Sequence, residues 1–434
     1  MQPTATGTGN WTKNSSGYQI LLVVLLSLNF GIVFFDRQAL NVLMPFVQPE
    51  LGLTQTQIGL IAGGLSFSWA LAAFGVGKLS DTLGRRKGLL IAATLAFSMC
   101  SFLTGLASSF ALLIGARLLM GAAEGGVMPI SHAMVASEVD PKRRGLAQGI
   151  AQNLGSNLLG SFAAPVLLIT FATAFGWRES FYLAGVPGIL SAMLMWFLLK
   201  EPKPLPKSET ESSMTIRQAI KVRNMWICVV VGVLMVAHFV ITWAFLPLFL
   251  SQQRGMDPDT LKWVTGSLGV AAAIYSFAVS GLSDRIGRKP VMVWLPFLSV
   301  VGPLSVLLLD PTAFDSFAIH PVSWLSISGF GVVLIPLFFI GWMVNGIFPI
   351  FMATIPSETF ESRHHATVLG LAMGACEILG GVFGPPVAGV LNDTFGPTTW
   401  LYMLMVLAVI SGFVAMGLRE TAPLVLARRG TPVV

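Results

Sequence analysis

Twelve long apolar stretches, separated by short polar loops, dominate this sequence of 434 residues. A helix that crosses the hydrocarbon core of a bilayer needs roughly 20 consecutive apolar residues, and each stretch is close to or above that length. Charged residues make up only 11% of the chain, less than half of the about 25% that is usual in soluble domains. The sequence therefore predicts an all-α polytopic membrane protein, and it excludes a soluble enzyme and a disordered chain.

The apolar stretches fall into two groups of six. The first six spans are predicted at 18–46, 56–77, 88–106, 109–137, 145–173 and 179–199, and the second six at 224–250, 259–281, 290–309, 322–353, 365–391 and 398–417. The longest polar stretch lies between the groups and is rich in Pro, Lys, Ser and Glu. The expected organisation is a tail (1–17), a six-helix half (18–200), a linker (201–223), a second six-helix half (224–418) and a second tail (419–434).

The positions of lysine and arginine predict the orientation in the membrane. Of the 26 such residues, 21 lie in the loops after spans 2, 4, 6, 8 and 10 or in the two tails. The opposite loops hold Arg178, Arg254 and Lys262, and the spans themselves hold Arg37 and Arg117. Because positive loops stay in the cytoplasm, both termini are expected to be cytoplasmic.

An internal repeat relates the two groups of spans. The chain reads GKLSDTLGRRK after span 2 and GLSDRIGRKP after span 8, at one constant offset of 203 residues. Half of the chain is 217 residues, so the two halves are expected to be copies of one six-helix unit. Parallel six-helix halves with a binding site between them are typical of one large class of secondary transporters.

The two repeated loops resemble the signature loop of the major facilitator superfamily, and the resemblance extends over the whole chain. It implies a gating role for eight residues: Asp81, Gly84, Arg85 and Arg86 in the first loop, and Asp284, Arg285, Gly287 and Arg288 in the second. Each aspartate can lie at the N-terminal end of a neighbouring helix, where the helix dipole favours an anion, and nearby arginines would fasten the halves on the cytoplasmic side. In the alternative interpretation, these positive loops only hold the orientation.

Ionisable residues inside the spans are few, and each one is costly in hydrocarbon. Asp36 and Arg37 lie in span 1, Arg117 and Glu124 in span 4, and Glu377 in span 11. The two acids and two arginines of the first half sum to zero charge, so protonation of one acid would free an arginine to attract an anion. This charge balance favours proton–anion symport. The alternative is a permanent network of ion pairs that fixes the packing of the helices.

Four segments are similar to those of the anion:cation symporters within that superfamily: NFGIVFFDRQALNVLMPF, ARLLMGAAEGGVMP, FGWRESFYLAGVPG and TWAFLPLFLSQQRGMD. The resemblance implies that Asp36 and Glu124 carry the coupling protons. It also implies that Arg37 and Arg117 bind the substrate anion. Spinster-like lipid transporters share the Asp-Arg pair and the spacing of Arg117 and Glu124, so a lipid, drug or zwitterion transporter is the alternative within the same fold.

Glu377 stands where the symporter pattern commonly has asparagine. Three interpretations stay open at this point. The carboxyl can carry a proton while it hydrogen-bonds the substrate, it can pair with a cationic group of a zwitterionic substrate, or it can be a protonated acid packed between helices.

Further polar residues in the spans are candidates for substrate binding. His238 in span 7 can donate a hydrogen bond to a carboxylate or a sugar hydroxyl, although a lone histidine is more often part of the packing. Gln152, Asn153 and Asn157 in span 5 can line a cavity, but one helix face cannot hold all three.

These features together predict a proton-coupled symporter that works by alternating access and imports a small organic anion, such as a sugar acid or another carboxylate. We expect no cofactor other than the coupling proton, since no ATP-binding loop occurs, and no metal, because the three cysteines lie in apolar runs. The expected partners are the organic anion and the lipid bilayer, with no nucleic acid, and the chain is expected to be a monomer in a bacterial cytoplasmic membrane. A membrane enzyme and a channel are the alternatives outside this class.

Overall fold

A computed structural model describes residues 15–83, 85–140, 143–202, 216–314, 316, 318–322, 325–361 and 365–428. Most of the predicted tails (1–14 and 429–434) and of the predicted linker (203–215) lie outside the described residues. So do two predicted gating positions, Gly84 and the side chain of Asp81.

Helices account for nearly all of the described chain. Their bounds are α1 Ser16–Leu51, α2 Gln55–Leu83, α3 Arg86–Gly105, α4 Phe110–Glu138, α5 Leu146–Phe175, α6 Trp177–Leu198, α7 Arg223–Gln252, α8 Pro258–Ile286, α9 Arg288–Leu308, α10 Gly329–Thr359, α11 Val368–Phe395 and α12 Thr399–Ala415. In the described residues, eleven helices are long and apolar enough to cross a membrane and α12 is a shorter apolar helix. The prediction of twelve spans in an all-α membrane protein is therefore confirmed.

One predicted span begins too early. Span 10 was expected from residue 322, but Ala318–Val322 (β1) and Leu325–Ser328 (β2) form a two-stranded antiparallel hairpin and α10 begins at Gly329. The expectation of helix at 325–328 is wrong, because the sequence Leu-Ser-Ile-Ser alternates apolar and polar residues as a strand does. The Ser328 amide also donates to the Thr260 hydroxyl of α8 (2.8 Å). Short helices also occupy Ile216–Ile220 and Pro423–Arg428.

The two halves repeat one another in local detail. The turn between α5 and α6 is made by Gly176 (φ 106°, ψ 162°), and the turn between α11 and α12 by Gly396 (φ 109°, ψ 163°). A positive φ of this size is open to glycine but strained for other residues. Two glutamates, one from each half, cap equivalent helix N-termini. Glu201 accepts a hydrogen bond from the backbone N–H of Lys87 at the start of α3, and Glu420 accepts one from that of Arg288 at the start of α9.

The halves are pressed together at one end of the bundle, the end at which α1 finishes and α2 begins, which we call the closed end. The Asp393 carboxylate of α11 accepts hydrogen bonds from the backbone N–H of Gln55 (3.1 Å) and from the N–H (2.7 Å) and hydroxyl (2.5 Å) of Thr56, at the start of α2. The Gln252 amide of α7 donates to Gln48 of α1 (2.7 Å). Both contacts join one half to the other.

The same helices separate toward the opposite end. On α11, Gly381 lies against the Ser66 hydroxyl of α2. Two and three turns away on the same face, a methyl group added at Gly374 or Gly370 would have no described residue within 4 Å. On α5, Ser161 lies against Gly269 of α8. The interface between the halves is therefore a wedge that opens away from the closed end.

The walls of this wedge include two interior helices. Every residue of α1 from 25 to 48 and of α7 from 227 to 250 is buried or half-buried. Both stretches are therefore enclosed by neighbouring helices along their length.

Candidate functional site

Asp36 lies at the centre of the first half, inside its own helix bundle. The side chain is fully buried, and its carboxylate accepts a hydrogen bond from the Ser101 hydroxyl of α3 (2.8 Å). Ser101 also donates to the Phe181 carbonyl of α6 (3.0 Å). This serine holds one oxygen of Asp36, while the other is buried and has no hydrogen-bond partner among the described residues.

Arg117 of α4 is buried beside Asp36, with 1% of its surface exposed. One guanidinium nitrogen donates to the Asp36 backbone carbonyl (3.5 Å) and contacts the Met120 sulfur (3.2 Å). The guanidinium carbon lies 5.3 Å from the centre of the Phe181 ring, which is a cation–π distance. The other two guanidinium nitrogens are buried with no partner in the described part of the chain.

Arg37 points away from Asp36, as neighbouring residues on a helix must. Its guanidinium lies 5.7 Å from the ring centres of both Phe34 and Trp69, and the side chain is half-buried. Its charge interacts with that of Glu377 on α11 of the other half, so the exposed part of Arg37 faces the gap between the halves.

Glu124 ends the first segment of α4, just before the turn at Gly125 and Gly126. Its side chain is 1% exposed, and neither carboxyl oxygen has a hydrogen-bond partner among the described residues. Its charge interacts electrostatically with Arg37, Asp36 and Arg117.

Glu377 brings the second half into this group of charges. It begins a π-helical turn of α11 (Glu377–Val382) at the level where the wedge starts to open, one turn before Gly381. One carboxyl oxygen is buried without a partner in the described part of the chain, and the charge interacts with Arg37 across the interface. The five predicted charged residues therefore form one electrostatic group, which we call the charge cluster.

The members of the charge cluster interact electrostatically without close ion pairs among the described residues. Within the residues that the structure describes, no two of them form an ion pair shorter than 4.0 Å. Unpaired charges in an apolar setting cost several kcal/mol each. This geometry disfavours a permanent network of ion pairs and suits groups that exchange protons and partners.

The structure places His238 outside the charge cluster. The imidazole is 3% exposed and lines a small apolar cavity inside the second half with Thr242, Trp342 and Trp400. Its Nε2 has no hydrogen-bond partner in the described part of the chain. Its predicted role in substrate binding stays a prediction.

The polar residues of α5 divide between two environments. Gln152 hydrogen-bonds His132 beside a small cavity between α1, α4 and α5. Asn153 and Asn157 are half-buried and share the face of Ser161, which lies against α8, so their face leads into the open part of the wedge. All three lie in π-helical turns (Ile150–Leu154 and Ser156–Ala163), a distortion that is frequent at functional sites.

The second signature loop forms a network within its own half. Arg288 is 6% exposed and pairs with Asp284 (2.6 Å) and with Glu358 of α10 (2.9 Å). Arg285 is exposed, and Gly287 makes the turn before α9 with φ 113°. The N-terminus of α9 is capped by Glu420. The cap of α9 therefore comes from an acid beyond α12, and the place of Asp284 at the N-terminus of a neighbouring helix stays a prediction.

The described part of the first signature loop also bonds within its own half. Arg86 donates to the Ala133 carbonyl of α4 (3.4 Å), and Arg85 is exposed just before α3. The predicted gating contact between the halves stays a prediction for these loops, which lie at the open end of the wedge.

Sequence reasoning missed the neutral neighbours of the charged residues. Ser101 bonds to Asp36 from α3, Trp69 lies against Arg37 from α2, and Ser66 of α2 lies beside Gly381 together with the Glu377 carboxyl. It also missed the contact of Asp393 with α2. The one sequence signal for this residue is its position near the end of span 11.

Twelve apolar helices in two similar halves, with charged residues gathered between them, define a polytopic membrane transport protein. Comparison with known families agrees with this class: residues 26–337 and 237–431 match the Major Facilitator Superfamily. The chain belongs to this superfamily, as the signature loops predicted. It is an integral membrane transporter of small organic substrates and not an enzyme.

Relatives within the superfamily include transporters of organic acids. The chain is 28% identical over 332 residues to a Cupriavidus necator protein named "Probable sulfoacetate transporter SauU", covering 71% of this chain and 76% of that protein. It is 28% identical over 291 residues to the hexuronate transporter of Bacillus subtilis, covering 63% and 67%. A bacterial homolog of the human lysosomal transporter Spinster, crystallised inward-facing and unoccupied, shares the fold with a TM-score of 0.70 and 19% identity over 93% of this chain and 94% of that one.

Proposed function

We propose that this protein is a secondary active transporter that couples proton movement to the uptake of a small organic anion by alternating access. The charge cluster carries this proposal, because it holds three acids and two arginines inside the membrane with several of their polar atoms unpaired. With all three acids deprotonated the cluster carries a net charge of −1, and with one proton bound it is neutral. When two or three of the acids gain protons, the cluster becomes positive and attracts an anion. Relatives named for transport of sulfoacetate and hexuronate, both organic anions, support the substrate class.

The position of the wedge supports a proposal for which side of the membrane the protein is open to. Its open end is the end at which α2, α4, α6, α8 and α10 finish, and the loops after these helices together with the two tails hold 21 of the 26 lysines and arginines. Because such loops stay in the cytoplasm, the proposed orientation has both termini in the cytoplasm and the wedge open to the inside. Asp393 and Gln48 then belong to the closed outer gate.

Arg37 is the residue that we assign to first contact with the anion. It is half-buried and faces the gap, whereas Arg117 is buried beside Asp36. A guanidinium presents a planar pair of donors that matches a carboxylate or a sulfonate. Arg117 then links the anion site to Asp36 and Glu124.

Uptake into proteoliposomes tests the proposal. A thermal-shift screen of the purified chain against organic acids first identifies ligands, which stabilise the state that they bind. Uptake of a labelled ligand should then require an inward proton gradient, and addition of the ligand should acidify the vesicle interior. Sodium-driven uptake at constant pH that is insensitive to an ionophore for protons would overturn the proton assignment.

A second candidate function rests on Glu377. An extra carboxylate next to Arg37 suits a substrate that carries a cationic group as well as an anionic one, such as a zwitterion or a phospholipid headgroup. In the same screen, stabilisation by zwitterions but not by simple carboxylates would favour this second function.

A further inference from the structure

The wall of the wedge opposite the charge cluster is built from aromatic rings. Phe239 of α7 lies with its ring centre 5.7 Å from Phe348 and 5.8 Å from Trp342 of α10, and 6.4 Å from Trp243 one turn along its own helix. We call these four residues the aromatic wall. Trp243 and Trp342 are buried, whereas Phe239 and Phe348 are half-buried.

The exposed part of Phe239 faces the gap between the halves. Two other sides of α7 are occupied, since Ala237 lies against α11 and His238 lines the cavity inside the second half. Phe239 itself packs against a buried apolar cluster to which both halves contribute, with Phe35 of α1 and Trp243 of α7 among its members. Its half-buried ring therefore lies where the two halves meet, and its free surface borders the same space as Arg37.

Arg37 and Phe239 also lie at nearly the same depth. The hydrogen bond between Gln48 and Gln252 fixes the relative height of α1 and α7. Arg37 precedes Gln48 by 11 residues and Phe239 precedes Gln252 by 13 residues, which at about 1.5 Å per residue places them about 16 Å and about 20 Å from that bond. A small molecule in the gap can therefore meet both.

The chemistry of the two sides is different. On one side Arg37 offers guanidinium N–H groups between the rings of Phe34 and Trp69. On the other side the nearby Asn345 amide donates to the Trp342 carbonyl (3.2 Å), and the indole N–H groups of Trp243 and Trp342 are buried without a partner among the described residues. The half-buried rings of Phe239 and Phe348 carry no polar atom, so a hydroxyl packed against them loses its water without gaining a partner, which costs about 1–3 kcal/mol. Polyhydroxylated acids are therefore poor ligands for this side, and an aromatic ring is a good one.

We propose that the substrate is an aromatic carboxylate, whose ring packs against the aromatic wall and whose carboxylate faces Arg37. This inference rests on the proposed function and narrows it, since sugar acids and short carboxylates fit the charge cluster equally well. In this proposal Phe239 and Phe348 determine substrate specificity.

Binding of matched acids to the purified full-length chain tests the inference. The probes are benzoate, phenylacetate and 3-phenylpropionate, their saturated-ring counterparts, and the sugar acids gluconate and glucuronate. At least one aromatic acid should bind about tenfold or more tightly than either sugar acid, as one unpaired hydroxyl predicts. Phe239→Leu and Phe348→Leu should weaken that aromatic acid about two- to tenfold, and should change binding of its saturated counterpart by less than twofold.

Phe297→Leu is the matched control. Its ring is also half-buried and contacts another phenylalanine, Phe413 (5.3 Å), but it lies between α9 and α12. Tighter binding of a sugar acid than of every aromatic acid would overturn the inference and leave the proposed function intact. An equal loss of aromatic-acid binding in Phe297→Leu and Phe239→Leu would also overturn it. Binding of none of these anions would count against both the inference and the proposed function.

Discussion

One substitution can weaken the contacts of the proposed outer gate, and the structure indicates how much free energy they contribute. The Asp393 carboxylate accepts three hydrogen bonds from Gln55 and Thr56 at the N-terminus of α2, and it comes from the opposite half of the molecule. Asp393→Asn keeps an acceptor but removes the charge. A carboxylate at a helix N-terminus contributes about 0.3–1 kcal/mol when exposed, and Asp393 is exposed. With the weaker neutral hydrogen bonds added, the expected loss is about 1 kcal/mol.

These contacts exist only while the outer gate is closed, so their loss shifts the population toward the outward-open state. About 1 kcal/mol corresponds to roughly a fivefold change in that equilibrium. The reporter is a cysteine in place of Ser66, which is 1% exposed and lies in the α2–α11 interface. Its rate of labelling by a membrane-impermeant maleimide from outside whole cells should rise about fivefold in Asp393→Asn.

Two further variants decide whether the reasoning is right. Asp310→Asn removes a charge at the same end, but this carboxylate bonds to Thr312 in its own loop, whose hydroxyl and N–H hold the pKa of Asp310 below its ordinary value. It should leave the labelling rate unchanged. Thr56→Val should raise the rate and add little to Asp393→Asn, because both act on one contact. An unchanged rate in Asp393→Asn, or an equal rise in Asp310→Asn, would refute the gate assignment.

Three predictions concern the charge cluster. Glu124→Gln should abolish gradient-driven uptake while it preserves substrate binding and counterflow exchange, and loss of both activities in folded protein would remove Glu124 from the coupling role. Arg37→Lys should raise the Kd for the anion about tenfold, since the planar pair of donors is lost, and Arg117→Lys should impair coupling more than binding; near-normal behaviour of both variants contradicts these roles. Glu377→Gln should retain uptake with a changed pH profile if Glu377 exchanges a proton, and an unchanged profile in isolated proteoliposomes would assign it to packing.

The sequence alone determined the class of protein. Twelve apolar runs follow directly from the thickness of a bilayer, and the repeat around Asp81 and Asp284 identified two halves and their family. The charged residues of the cluster were also visible, because an ionisable residue within an apolar run is conspicuous whatever its neighbours are. These properties are local in the sequence, or depend on one constant offset.

The residues that the sequence missed depend on contacts between helices. Ser101, Trp69 and Ser66 are ordinary residues of apolar helices until packing brings them to Asp36, Arg37 and Glu377. The same holds for His238, whose side chain packs in the interior of its own half, and for Glu420, which caps the N-terminus of α9 from beyond α12.

The conformation, finally, is a property of the tertiary structure alone. Nothing in the sequence says that Asp393 meets Thr56 while α11 and α2 separate beyond Glu377. Each helix keeps nearly the same conformation in both states of an alternating-access cycle, so the helix propensity of the sequence cannot distinguish the states. What distinguishes them is a few inter-half contacts, each of about 1 kcal/mol, between residues more than 200 positions apart in the chain.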